Sequence, residues 1–450
     1  MKRMMTLAVL AVLAGTCLAQ RRISLEDYEI GKELVTSLDN WDQSADDYVV
    51  DHSKNGFKFT DDKKRNLGCA YPTISIYGTK VMETRLFFTK DRSKIDHIEF
   101  SLYNKGDAAT LHKTMNLDDF KAMLETVTSK LSDGGETPKT TSRELAGNRT
   151  YTRKWAKRKP VAELSWGLSG EKRGAETVEY ATLKLFRVDP DTVKKDTSAK
   201  AGPAVGSAAS CAANVRHTED GDAYIPNVPM VDQGQKGYCA VATSERVLRY
   251  FGNDVNEHQL AQMAGTEAQG GTTIESMVKA AEIIGKKCGL GKIDVVSKIR
   301  TFSDIENQIT KYNQAAKKMK RPTLDIATFT KQRGSSIAID VEGLQHAMEP
   351  KVLKEMSMKD SSGFKRFQSG VKAQIDRGIP LIWSVQLGIY PEPEIPQAAG
   401  GHMRLIIGYN AESKEILYSD TWGAGHELKR MPEEWAWTIT ANMFYLKPRK

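Results

Sequence analysis

Apolar and polar positions alternate with a period of two in three stretches of the first half of this chain. They are TISIYG after Pro72, ETRLFFTKD from Glu83 and KIDHIEFSLYN from Lys94. Residues two apart share one face of a strand, so each stretch predicts a strand with one buried face. Similar runs at 150–159, 161–168 and 178–188 predict three more. Between the two groups, LDDFKAMLETVTSKLS (117–132) repeats its apolar positions at helical spacing and runs into Gly134-Gly135, the signature of an amphipathic helix and its stop. Residues 24–38 predict an opening helix, with Ser24 and Asp27 in capping-box positions. Residues 20–188 are therefore expected to form an α+β domain with a largely antiparallel sheet.

The pattern then breaks. Residues 189–220 are rich in Lys, Ala, Ser, Gly and Thr, as in AKAGPAVGSAAS; they offer little to bury and predict a flexible linker. Helical periodicity returns in AVATSERVLRYF (240–251), with Ala240, Val247, Leu248 and Phe251 apolar and Gly252 placed to end it. Thr272 and Glu275 form a capping box for a helix to about Ile284, and Ser303 and Glu306 another for a helix to about Lys320. Residues 364–377 predict a further helix leading into a buried strand at 380–387, and two strands are expected around 402–410 and 416–420.

Candidate chemistry gathers on three of these elements. QGQKGYC (233–239) places Cys239 at the start of the 240–251 helix, where the positive helix end favours a thiolate, the form that attacks carbonyls. The side-chain amide of Gln233 can donate to an oxygen that turns negative during such an attack. Far downstream, GGHMRLIIGYN (400–410) and ILYSDTWGAG (416–425) offer His402 as base and Asp420 as the residue that orients it. His402, Arg404 and Ile406 share one strand face. A three-residue loop 410–412 would set His402 directly opposite Asp420, within reach of a hydrogen bond. A loop of even length would break that match by one residue. Trp422 would then cover the pair and exclude competing water. None of the seven other histidines, at 52, 97, 112, 217, 258, 346 and 426, heads an apolar strand followed by an acid-bearing one. His426 is the nearest rival, beyond a Gly-rich turn.

In order and spacing, QGxxGxC, GHxxxxIGYN and D-x-W-G resemble the papain superfamily of cysteine peptidases. Asp in place of the papain Asn, and the helix-rich stretch between Cys and His, resemble its bacteriocin-leader-processing (double-glycine) branch and stand-alone relatives. The resemblance covers roughly residues 221–450 and implies a papain-like domain, a helical lobe with an N-terminal nucleophile helix packed on an antiparallel sheet. It implies a Cys239–His402–Asp420 triad with Gln233 as oxyanion donor, a protein or peptide substrate, and no cofactor. Papain carries a second cysteine three residues before its nucleophile, for a disulfide; Lys236 stands there instead. Residues 290–361 exceed what the papain-like framework requires and are expected to shape the cleft or enlarge the helical lobe. Transglutaminase-like acyl transfer, which uses the same Cys-His-Asp order, is the main alternative chemistry, and a non-catalytic peptide-binding module the alternative class.

Composition adds the setting. Lys2 and Arg3, an apolar run from Leu7 to Leu13 and Cys17-Leu18-Ala19 read as a signal peptide over 1–19, hence a secreted or periplasmic protein. Its removal lowers the formal net charge from +8 to +6, too mild over this length to argue for nucleic acid. The most basic run, RKWAKRK (153–159), reads as a solvated strand face. No later apolar run approaches the ~20 residues that span a bilayer. Four cysteines remain after processing: with Cys239 a free thiol, Cys69, Cys211 and Cys288 permit at most one disulfide, Cys211–Cys288 being a candidate. No CxxC, HExxH or Cys/His cluster indicates a metal. Asn148 begins an NRT glycosylation triplet.

Overall fold

A computed structural model describes residues 26–447, leaving out 61–63, 70–72, 106–114, 134, 146–147, 170–175, 193–207, 232, 234–237, 254, 256–259, 262–273, 299–301, 334–335, 394, 396–398 and 424. The expected signal peptide, Ser24, Lys236 and the Thr272–Thr273 pair lie outside the described residues.

The alternating runs of the first half become an eight-stranded antiparallel sheet. Its strands are β1 (Lys58–Phe59), β2 (Asn66–Cys69), β3 (Glu83–Phe88), β4 (Ile95–Asn104), β5 (Thr141–Leu145), β6 (Asn148–Trp155), β7 (Val161–Ser169) and β8 (Thr177–Phe186), in the order β1-β2-β3-β4-β8-β7-β6-β5. Register places Leu86, Ile98, Leu185, Ala162 and Trp155 side by side across five strands, all with no exposed surface. After a short helix α1 (Ala45–Asp51), the amphipathic α2 (Leu117–Leu131) adds Phe120, Met123, Leu124, Val127 and Leu131 to the same hydrophobic cluster. Asn116 caps α2 by accepting from the Asp119 amide at 2.8 Å. One residue along each strand, the other face carries a row of alternating charge: Arg85, Glu99, Lys184, Glu163 and Lys154.

The second half builds its own hydrophobic cluster around another antiparallel sheet. Its strands are β9 (Arg216–His217), β10 (Asp222–Tyr224), β11 (Gly291–Ser297), β12 (Leu381–Leu387), β13 (Gly400–Asn410), β14 (Glu415–Ser419), β15 (Lys429–Pro432) and β16 (Thr440–Lys447). The order is β9-β10-β13-β12-β16-β11, with β14 pairing both β13 and β15. All seven residues of β12 are buried. Helices α3 (Ala208–Ala213), α4 (Cys239–Tyr250), α5 (Ile274–Lys287), α6 (Phe302–Lys318), α7 (Val341–Ala347), α8 (Pro350–Met358), α9 (Ser361–Ile375) and α10 (Glu433–Ile439) complete this half. The chain as described is thus a mixed α and β structure.

One expectation needs correction, and two stretches hold more regular structure than their composition suggests. Residues 24–38 do not open as one helix: Tyr28–Glu29 pairs in parallel with Ile74–Ile76, and only Gly31–Val35 turns helically. Burial of Ile30, Leu34 and Val35 against the sheet outweighs the local helical preference. The stretch expected as a linker includes α3 and β9; Cys211 is fully buried there, and its carbonyl packs so tightly on Gly378 that any Cβ would sit 1.8 Å from it. Residues 291–297, counted with the extra segment, are the edge strand β11 paired with β16. In addition, α6 begins at Phe302, so Ser303 falls inside its first turn and does not cap it. Cys211 and Cys288 are buried and not joined to each other, and Cys69 and Cys239 are likewise buried. Of the basic run 153–159, Arg153 stacks over Trp166 at 5.3 Å and Lys154 pairs with Asp189 at 2.5 Å, so it serves the sheet's own face. Among the described residues no helix is long and apolar enough to cross a membrane.

Candidate active site

Helix α4 is buried on almost every side, with Arg249 its one exposed residue. A surface helix with one apolar stripe is therefore not what AVATSERVLRYF forms; it is a central helix whose polar residues all need partners. Thr243 Oγ1 donates to the Met403 carbonyl at 2.9 Å and Ser244 Oγ to Ala240 at 2.7 Å. Glu245 pairs with Arg249 at 2.5 Å. Cys239 opens the helix; no side chain of Tyr238 caps it and no acid stands in its first turn. The helix-end potential is thus left to act on the thiol. The cysteine is 3% exposed, and its Sγ lies 3.7 Å from Met277 Sδ of α5.

The sheet brings the base and the acid together by a route that sequence spacing alone does not give. The loop after β13 has four residues, because Asn410 pairs with Glu415. Asn410 Oδ1 folds the loop back by accepting from the amides of Glu412 and Ser413 at 3.0 and 2.9 Å. That even loop would turn Asp420 away from His402. A β-bulge repairs it: Ile406 pairs with Tyr418 and Gly408 with Leu417, leaving Ile407 as an extra residue. Ile407 is not idle, since its carbonyl accepts from the Ile225 amide at 2.8 Å, and the neighbouring Gly408 leaves no room for a Cβ against Tyr224. The shifted register aligns Asp420 with Arg404 rather than His402. Asp420 and His402 nonetheless share a face, and Asp420 Oδ1 lies 2.8 Å from His402 Nε2.

His402 and Asp420 are both fully buried. Burial pulls the imidazole toward its neutral form, but the hydrogen bond and charge of Asp420, with Cys239 nearby, overcome it and push its pKa up to about 9. Burial likewise opposes the Asp420 charge; Arg404, His402 and Lys429 hold its carboxyl well below the usual range. The second ring nitrogen, His402 Nδ1, has no hydrogen-bond partner among the described residues. Trp422 lies flat on the ring, with centroids 4.3 Å apart and planes 7° apart. His426 meets the edge of Trp422 at 5.6 Å, and its backbone carbonyl closes the turn by accepting from the Asp420 amide at 2.9 Å.

Gln233 is 6% exposed and is fixed at both ends by Thr421: its amide donates to the Thr421 carbonyl at 2.8 Å, and Thr421 Oγ1 donates to its Oε1. With the carbonyl end accepting, the donor capacity of the Gln233 side chain lies in its NH2 end. Four contributors carry no clear mark in the sequence. Thr421 is one. Arg246, seven residues into α4, donates to the carbonyls of Asp420 at 2.6 Å, Ser419 at 3.3 Å and Pro229 at 2.8 Å, joining the nucleophile helix to the acid's loop. Arg404 reaches Asp420 Oδ2 at 3.4 Å; strand alternation sets it beside His402 but gives it no role. Met277 gives no signal. A cavity of about 640 Å³ opens next to Gly401, between Ile274 of α5, Ile305, Leu344, Met356 and Gln386. Among the described residues no cluster of His, Cys, Asp and Glu is placed to hold a metal ion.

A buried thiol at a helix start and an imidazole clasped by a carboxylate are groups that can support nucleophilic attack on a carbonyl. Residues 225–321 and 310–443, just under half of the chain, match the profile described as Peptidase_C39 like family, and this region resembles papain-like cysteine peptidases of the bacteriocin-processing branch. The chain is similar to the peptidase domain of Streptococcus ComA, described as a bifunctional ABC transporter in a quorum-sensing pathway. Identity is 12%, coverage 49% of this chain and 99% of that one, and the TM-score 0.24. It is also similar to xylellain, a cysteine protease from Xylella fastidiosa, at 14% identity, 54% and 89% coverage and a TM-score of 0.25. No curated protein matches the chain.

Proposed function

We propose that the chain is a secreted cysteine peptidase in which Cys239, His402 and Asp420 act as a triad. The observation that supports this reading is the divided imidazole: Nε2 is held by Asp420 at 2.8 Å, while Nδ1 has no partner among the described residues. Cys239 Sγ attacks the amide carbonyl carbon, forming a C–S bond as the carbonyl electron pair moves to oxygen. Gln233 and the Cys239 backbone amide receive that oxyanion. His402 Nδ1, which takes the Cys239 thiol proton, passes it to the leaving nitrogen as the oxyanion collapses and the C–N bond breaks. Water then attacks the thioester, giving one proton to Nδ1; the C–S bond breaks, the carboxylic acid leaves, and Cys239 returns as a thiolate beside the protonated imidazole. No cofactor enters these steps. Trp422 shields the His402–Asp420 bond.

The thiol is 3% exposed, with Met277 of α5 against its Sγ and Ile274 close to Gly401. The cavity beside Gly401, walled in part by α6, α7 and α8, is where the segment 290–361 would read substrate side chains. In the same reading, residues 1–19 are a signal peptide, 20–188 a preceding α+β domain, 189–220 a connector whose end is α3 and β9, and 221–450 the peptidase domain. Asn104 Nδ2 donates to Tyr238 Oη at 2.7 Å, which supports a role for the first half in positioning or restraining the nucleophile helix.

The test is substrate profiling of the mature chain on a peptide library by mass spectrometry, beside Cys239→Ala. Cleavage by the wild type alone is expected. Amine incorporation without cleavage would replace the reading with a transglutaminase-like one, and binding without turnover would leave a peptide-binding module.

A further inference from the structure

Arg404 has no assigned part in the triad, yet its surroundings are more ordered than any surface arginine requires. It is fully buried. Its guanidinium lies between two aromatic rings, 4.7 Å from the Trp383 centroid and 4.2 Å from that of Tyr418. Glu392 takes it in a two-pronged pair, Nη1 to Oε2 at 2.7 Å and Nη2 to Oε1 at 3.0 Å, and Tyr418 Oη donates to the same Oε2. The free side of Nη1 reaches Asp420 Oδ2 at 3.4 Å, while Asp420 Oδ1 faces His402. The two oxygens of one buried carboxylate are thus divided between a permanent cation and the imidazole.

We infer that Arg404 is a positioning residue for the acid: held by Glu392, Trp383 and Tyr418, it keeps Asp420 ionised and aimed at His402 in a fully buried site. This inference rests on the triad reading. An isolated carboxylate in such a place takes up a proton and stops orienting the imidazole. Other groups around Asp420 do not substitute for Arg404. Lys429 of β15 stands at 4.0 Å, with its ammonium also near the Trp422 ring. Arg246 of α4 spends its donors on backbone carbonyls and Ser419 Oγ. His402 is the group being oriented, and Cys239 acts on it from the other side. Glu392 lies behind Arg404 and adds negative charge. Arg404 is the largest influence opposing burial at Asp420.

The test follows the pH dependence of Cys239 alkylation by iodoacetamide in the full chain, which needs no substrate. In Arg404→Gln the acid limb of alkylation moves up by about one pH unit or more, because Asp420 is protonated sooner. In an Asp420→Asn background the limb lies in one place whether or not Arg404 is changed to Gln, since a neutral amide has no ionisation for the cation to hold. Arg404→Lys keeps the charge and shifts the limb less than Arg404→Gln. A limb that stays in place or moves down in Arg404→Gln overturns the inference, as does a limb that Arg404→Gln moves just as far when Asp420 is already Asn. If Arg404→Gln does not fold, Arg404→Gln/Glu392→Gln removes the second buried charge and carries the same comparison. Failure of the triad reading looks different: Cys239→Ala would then leave peptide turnover intact whatever Arg404 does.

Discussion

The two sheets handle charge in opposite ways. On the outer face of the first, Arg85, Glu99, Lys184, Glu163 and Lys154 alternate in sign across five strands. Each charge is half-buried: the Arg85 side chain is 14% exposed, Glu99 20% and Lys184 37%. In the second sheet the charged groups Asp420, Arg404 and His402 have no exposed side-chain surface and converge on one carboxylate. Solvent shares the stabilisation of the first set, and a pair of that kind is worth about 0.2–1 kcal/mol. The second set has no solvent to fall back on, and breaking a buried pair leaves a charge that costs about 3–5 kcal/mol. The row therefore covers one face of a sheet, whereas the cluster, in the proposed triad, would fix one proton's position.

The sharpest break is chemical. Cys239→Ala and His402→Ala are expected to lower peptide turnover by about 10⁶-fold, because these two side chains make and break bonds. Asp420→Ala should lose about 10⁴-fold, since it acts only through the imidazole. Steady-state kinetics on any cleaved library peptide decides the order. An Asp420→Ala enzyme that is folded and as inactive as Cys239→Ala would give the carboxylate a direct part.

Arg246 tests whether the buried cluster is also a structural joint. It holds the carbonyls of Ser419, Asp420 and Pro229 from the nucleophile helix. Arg246→Met leaves these acceptors unmet and should cost roughly 2–3 kcal/mol in chemical denaturation. A loss below the error of that measurement would show that the acid's loop holds its shape without α4.

The buried cluster should also leave its mark on stability against pH. The His402 pKa is raised from 6.5 to about 9, so the stabilisation it carries is complete below pH 6.5 and lost as pH rises toward 9. The Asp420 pKa is lowered from 3.8, so its contribution is present above that value and lost as pH falls below it. The melting temperature is expected to decline from pH 6.5 to 9 in the wild type and to decline less in His402→Gln. Parallel declines in the two proteins would assign the loss to other groups.

Local pattern carries much of this arrangement. Period-two alternation places β3, β4 and β8 within a few residues, and the apolar stripe of α2 is the one that packs. Cys239, His402, Asp420, Trp422 and Gln233 each stand out in the sequence by motif and spacing, and in the fold they lie in one region. What the sequence hides depends on pairs of distant residues. The bulge at Ile407 answers a loop of four residues, and its partner Ile225 lies about 180 residues away. Arg246 reads as the polar side of a surface helix until the helix is seen to be central. Alternation puts Arg404 beside His402, but nothing in the sequence announces Glu392 as its partner. The opening helix fails because Tyr28 finds a strand partner in Ile74, a preference no local pattern carries.

The smallest expected effect lies in the charged row. Lys184 Nζ sits 2.5 Å from Glu99 Oε1, and burial at Glu99 is opposed first by Lys184 and then by Arg85. Lys184→Gln removes one cation, yet Arg85 remains 3.6 Å from Glu99 Oε2, and Lys184 itself is 37% exposed. Water and Arg85 can take over most of what is lost, so destabilisation is expected to stay below about 1 kcal/mol. Raising the salt concentration should shrink even that difference, because half-exposed pairs are screened. Urea titrations of wild type and Lys184→Gln at low and high salt measure both. A loss above about 2 kcal/mol that is indifferent to salt would mean that the row behaves like the buried cluster, and the contrast between the two sheets would fall.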